Sequence, residues 1–160
     1  MIGAVVDVGS NSVLLTVCRR TDEGWADVLE TSRVTGLGRG VAQTGVLGED
    51  GMRDTLAALR RAFDDAEGSG ADSVVAAATM AARLASNAAD FLARAEAQGT
   101  PVQILSGDRE AELGFRAVAD DLLFAAADTL SIVDPGGQST ELVTAARSGV
   151  GWDIRFRRSF

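Results

Sequence analysis

The chain has 160 residues, enough for one domain or for one and part of another, and a hydrophobic content of 46% supports a real core. A net charge of −8 argues against general binding to nucleic acids or to anionic membranes. Histidine, lysine and tyrosine are absent and all 15 basic residues are arginine, which excludes a Ser-His-Asp triad, a histidine metal site, a P-loop lysine and a Schiff base. Acid–base chemistry is therefore left to Asp or Glu. The single cysteine, Cys18, has no partner for an internal disulfide and points to a reduced, cytoplasmic compartment. No basic leader precedes the first motif, and no apolar run reaches roughly 18 residues, so neither a signal peptide nor a membrane span is expected.

In chain order, residues 4–7 read as a buried strand that delivers Asp7 into a small turn of Gly9, Ser10, Asn11 and Ser12. Residues 13–20 are its hairpin partner, and residues 25–34 a third strand. Residues 35–48 carry Gly36, Gly38, Gly40, Gly45 and Gly48 and read as a loop. Residues 50–67 form an amphipathic helix with Met52, Leu56, Leu59 and Phe63 on one stripe, ended by Gly68 and Gly70. Residues 72–79 are a small apolar strand. Residues 79–98 are helical in two pieces, the longer starting near Ser86, and Arg83 and Asn87 are four apart on one expected face.

Residues 101–105 form a short strand. Ser106 then caps a helix expected to run to about Ala126, with Ala111, Phe115, Val118 and Leu122 as its buried stripe and Asp108 and Glu110 in its first turn. Residues 130–134 and 140–146 form a new hairpin around Pro135, Gly136, Gly137 and Gln138, and residues 152–158 alternate as a third strand. Asp134 precedes this turn, and Ser139, Thr140 and Glu141 follow it. Two units of strand, Asp, small turn and strand, about 127 positions apart, look like two halves of one phosphate clamp.

DVGSNS at 7–12, SGDREAE at 106–112 and DPGGQSTEL at 134–142, with ATMAARLASNAADFLARAE at 78–96 between the outer motifs, resemble the exopolyphosphatase/guanosine pentaphosphate phosphatase (Ppx/GppA) family. The motifs stand in the family's order over nearly the whole chain. The resemblance implies an α/β fold: an actin-like ATPase, ribonuclease H-like domain over residues 1–128, with a mixed sheet and flanking helices. The first strands of a second such domain would fill residues 129–160 and break off there, lacking their covering helices. Their bare face would favour aggregation or a homodimer.

The same resemblance implies a metal-dependent hydrolase of polyphosphate or of the 5′-phosphate of guanosine pentaphosphate. Glu110 would be the catalytic base that deprotonates the attacking water, with Asp108 in reserve. Gly9, Ser10, Asn11, Arg83, Gly137 and Ser139 would bind phosphate oxygens. Asp134 and Glu141 would hold magnesium or another divalent cation, and Asp7 would join that shell or anchor the first loop. The loop at 35–48 is similar to the family's Leu-Gly loop at the cleft edge, with Gly36 in place of its arginine and Arg39 near enough to supply the charge.

Two departures stand out. Pro135 follows Asp134, and Gln138 stands where the family has a third glycine; a positive φ there would strain glutamine by about 1 kcal/mol. A sugar- or acetate-kinase-like phosphotransferase is the alternative within the superfamily, disfavoured by Ser10-Asn11-Ser12 and the missing lysine. A polyphosphate- or nucleotide-binding module without catalysis is the alternative from another class.

Overall fold

The computed structural model describes residues 1–119 and 121–160 and divides into two compact units, Met1–Ile104 and Leu105–Phe160. In the first unit the strands are β1 (Ile2–Val8), β2 (Ser12–Thr21), β3 (Gly24–Val34), β4 (Ser73–Ala78) and β5 (Val102–Ile104). They form one sheet in the order β3-β2-β1-β4-β5. β1 to β3 are an antiparallel meander, while β4 and β5 run parallel to β1 through helical crossovers. This is the mixed ribonuclease H-like arrangement implied by the motifs.

Period-2 alternation builds the core: Ala4, Val6 and Val8 of β1 and Val13, Leu15 and Val17 of β2 are buried on one face. Against them pack Met52 and Leu59 of α2 (Glu49–Gly68) and Phe91 and Ala95 of α4 (Ala88–Ala97). Cys18 is half-buried on β2 with its Sγ 3.4 Å from the Asp27 carboxylate. Burial, and then that carboxylate, push its thiol up, so it stays protonated and is a poor nucleophile at neutral pH.

Residues 35–48 depart from the expected free loop. Leu37, Val41 and Leu47 are buried in the core, and the segment includes a four-residue helix, α1 (Val41–Thr44). Glycine density obscures these three anchors in the sequence, although each buried apolar side chain contributes about 1.5–3 kcal/mol. Arg83 and Asn87 do not share a helix face. α3 (Met80–Leu84) ends at Ala85, whose φ of −79° and ψ of 130° are extended, and Asn87 precedes α4. The Asn87 amide instead clasps the loop: Oδ1 accepts from Leu47 N–H at 2.8 Å and Nδ2 donates to Leu47 O at 3.0 Å.

The second unit holds α5 (Gly107–Ala119), a 3-10 turn (Leu122–Phe124) and an antiparallel sheet of β6 (Thr129–Pro135), β7 (Thr140–Ser148) and β8 (Gly151–Ser159). The domain boundary expected at 128/129 therefore differs from the division at Ile104/Leu105. The reason is α5, whose buried Ala111, Phe115 and Ala119 pack on Val143 and Ala145 of β7. The sheet expected to lack a covering helix thus has its apolar face covered by α5, and Phe115 meets Trp152 edge-to-face at 5.7 Å.

α5 is described over Gly107–Ala119, and the 3-10 turn at Leu122–Phe124 falls before Ala126, the expected end of the helix; the side chain of Leu122, expected in its stripe, lies outside the described residues. Arg147 ties down the following segment. It donates to the carbonyls of Phe124, Ala125 and Ala127 while its guanidinium stacks 4.1 Å from the Trp152 ring. A bulge in the β7–β8 register between Thr144 and Ala145 breaks the alternation expected of residues 152–158, leaving Phe156 exposed.

Candidate active site

Two turns carry most of the expected site residues, and they close in the same way. After Asp7 at the end of β1, Gly9 N–H donates to Ser12 O at 2.9 Å; after Asp134 at the end of β6, Gly136 N–H donates to Ser139 O at 2.8 Å. A Cβ on Gly9 would stand 3.3 Å from Ser12 O, and one on Gly136 would stand 3.2 Å from Ser139 O. Glycine eases the close backbone approach at both places, and neither has a positive φ.

Asn11 and Gln138 occupy equivalent positions in the two turns. Among the described residues no residue other than glycine has positive φ, so the strain expected at Gln138 is absent. The third-glycine position of this turn accepts a side chain without backbone cost.

In the first unit, the turn is braced by the loop that follows β3. Gly38 N–H donates to Ser10 O at 2.8 Å, and Thr35 N–H and Gly36 N–H both donate to Asn11 O at 2.9 Å. Ser10 is buried, Gly9 and Asp7 are half-buried and Asn11 is exposed. β1 and β4 are parallel neighbours, so the turn after β1 and the helix after β4 lie at the same carboxyl end of the sheet. That helix is α3, which carries Arg83, half-buried with Nη2 3.4 Å from Met80 Sδ. Asp7, Gly9, Ser10, Asn11 and Arg83 thus gather at one sheet end, the usual ligand end of an open α/β sheet.

In the second unit, Asp134 and Glu141 are cross-strand partners of the β6–β7 hairpin. Asp134 is exposed, whereas Glu141 is buried and accepts a 2.7 Å hydrogen bond from Ser159 Oγ at Oε1. Both carboxylates line one crevice of about 10 Å³ with Ala111, Gly114 and Phe115 of α5, about the space of a single water. Gly114 is a mid-helix glycine whose sequence signal went unread: a Cβ there would lie 3.6 Å from Asp134 Oδ2. Gly137 is exposed and Ser139 buried.

Glu110 sits half-buried in the first turn of α5, where Ser106 Oγ caps Arg109 N–H at 3.2 Å and Ser106 O accepts from Glu110 N–H at 2.9 Å. Asp108, the reserve base, is held by Arg157 of β8 at 2.7 Å.

Among the described residues no three His, Cys, Asp or Glu side chains are grouped so as to hold a metal ion. Of the residues expected in the metal shell, Asp134 and Glu141 line one crevice of the second unit, and Asp7 belongs to the first unit. Two carboxylates suit magnesium, which takes one or two and completes its octahedron with water and phosphate oxygens. No helix among the described residues is long and apolar enough to cross a membrane.

Known proteins share this fold. The sequence profile of the Ppx/GppA phosphatase family matches residues 16–152. A solved Ppx/GppA family member from Aquifex aeolicus is 34% identical with a TM-score of 0.84; the match covers 100% of this chain and 51% of that one. A solved exopolyphosphatase from Cytophaga hutchinsonii is 25% identical with a TM-score of 0.88, covering 100% of this chain and 50% of that one. The ethanolamine utilization protein EutJ of Carboxydothermus hydrogenoformans shares the fold alone, at 15% identity and a TM-score of 0.56, covering 100% of this chain and 52% of that one. The chain spans about half the length of these relatives.

Proposed function

Because the chain belongs to the Ppx/GppA phosphatase family, we propose that it carries the phosphate-binding and water-activating half of a phosphoanhydride hydrolase. The substrate is inorganic polyphosphate, from which terminal phosphate is released, or guanosine pentaphosphate, which loses its 5′-phosphate. The observation that carries this reading is the pair of Asp-x-Gly-x-x-Ser turns closed by the same hydrogen bond.

Gly9, Ser10 and Asn11 of one turn, Gly137 and Ser139 of the other, and Arg83 hold phosphate oxygens through backbone amides, hydroxyls and a guanidinium. Glu110 orients a water and takes its proton as the oxygen bonds to the terminal phosphorus and the bridging P–O bond breaks toward the remaining chain. Asp134 and Glu141 hold magnesium or another divalent cation; when bound, it neutralises charge developing on the transferring phosphoryl group. Asp7 anchors the first turn.

The test is phosphate release from long-chain polyphosphate and from guanosine pentaphosphate with magnesium, using this chain and a C-terminally extended one, each with Glu110→Gln. Release should require the metal and fall by about 10²–10⁴ in Glu110→Gln with unchanged circular dichroism. Because the chain spans half its relatives' length, a binding-only reading is the second one. Tight phosphate binding with no release from either length would establish it and remove catalysis from the account.

A further inference from the structure

We propose that a groove beside the first turn, lined by Arg33, Thr35, Arg39 and Arg61, is an anion subsite for the distal phosphates of an extended polyphosphate chain. The proposal rests on the phosphoanhydride reading above and assigns its substrate to linear polyphosphate. Two adjoining cavities of about 290 Å³ and 270 Å³ share Thr35 and Asp54; Arg39 lines the first, and Arg33 and Arg61 line the second. The groove starts at the candidate site itself, because Thr35 N–H and Gly36 N–H are bonded to Asn11 O.

Charge accounting at this surface runs against the acidic whole. The carboxylates on the groove wall are already engaged: Arg53 holds Asp50 at 2.6 Å and Asp54 at 2.9 Å, and Arg94 holds Glu49. Neither Arg53 nor Arg94 lines the groove. The groove's own arginines are the unspent ones. Among the described residues Arg39 and Arg61 make no ion pair, and Arg33 reaches Asp65 only at 3.7 Å.

Two donors lack acceptors along the same wall. Arg33 Nε is buried with no hydrogen-bond partner. Thr35, only 8% exposed, accepts from Thr55 Oγ1 at 3.0 Å, which leaves its own hydroxyl proton to donate. Gly36, with φ of +68°, lets the Arg39 guanidinium lie against the backbone: its Nη2 is 3.1 Å from where a Cβ would be. Guanidinium groups, a hydroxyl and an unpartnered N–H along an open trough suit a string of phosphates better than a single compact anion.

The test compares binding of medium-chain inorganic polyphosphate and of pyrophosphate to wild-type chain, to Arg39→Gln/Arg61→Gln, to Arg39→Lys/Arg61→Lys and to Ser10→Ala, across a salt series. The glutamine pair should raise the polyphosphate Kd about tenfold and flatten its salt dependence, with a much smaller effect on pyrophosphate. The lysine pair should recover most of the affinity, which a folding defect would not do. Equal polyphosphate Kd values in wild type and the glutamine pair would overturn the proposal, as would heparin binding with the same arginine dependence. If Ser10→Ala leaves both ligands unaffected and no phosphate is released, while the arginine effect persists, the hydrolase reading fails and the groove stands.

Discussion

The turns at Gly9–Ser12 and Gly136–Ser139 share a hydrogen-bond frame and differ in their surroundings. Each is closed from a glycine N–H to a serine carbonyl at 2.9 and 2.8 Å, and a Cβ at either glycine would press on that carbonyl at 3.3 and 3.2 Å. The first is braced by three amide hydrogen bonds from the 35–38 segment. The second is backed by a helix, with α5 packed on the sheet and Gly114 against Asp134. The frame provides what any phosphate turn needs, close backbone approach. The chemistry assigned to each half follows from its neighbours: a buried serine and an arginine helix in one, paired carboxylates and a glutamate helix in the other.

The largest expected effect separates the units. Phe115 is buried between α5 and the second sheet, so Phe115→Ala should destabilise that unit by about 3 kcal/mol. Amide hydrogen exchange should show lost protection in β6–β8 and little change in β1–β5. Uniform loss across both would mean that they fold as one cooperative body. Next come Gly9→Ala and Gly136→Ala, each placing a methyl against a carbonyl at 3.2–3.3 Å. Each should cost about 1 kcal/mol in thermal unfolding and weaken phosphate binding. A penalty at only one of them would break the equivalence of the turns.

Gln138→Gly should lower stability by less than about 1 kcal/mol and give no gain in turnover, because no positive φ is there to relieve. A clear rise in phosphate release would restore glutamine as an obstacle. Smallest is Arg157→Gln, which frees Asp108 from an exposed pair. Its cost should fall within about 0.2–1 kcal/mol and vanish at high salt, as read by chemical denaturation.

Much of this frame is legible in the sequence, for physical reasons. Strands β1, β2 and β4 announce themselves through period-2 or unbroken apolar runs, and the Asp-to-glycine turns through residue type. The partner of α5 is not legible. Ala111 and Phe115 declare a buried stripe, but a stripe does not say which sheet it meets; the boundary at 128/129 rests instead on the repeated three-strand pattern that begins near Leu130. The anchoring of residues 35–48 is hidden because Leu37, Val41 and Leu47 are spaced irregularly among glycines. Glycine at 114 reads as a propensity cost in sequence, and in space a Cβ there would make only an ordinary contact with Asp134.

The central claim is that each turn binds phosphate oxygens through its backbone amides. The most direct measurement is a ¹H–¹⁵N titration of this chain with pyrophosphate in the presence of magnesium, following the amides of Gly9 to Ser12 and of Gly136 to Ser139. The account predicts that pyrophosphate shifts the amides of both turns, and that Glu110→Gln leaves their midpoints unchanged. Shifts confined to one turn, or seen in neither, would contradict it.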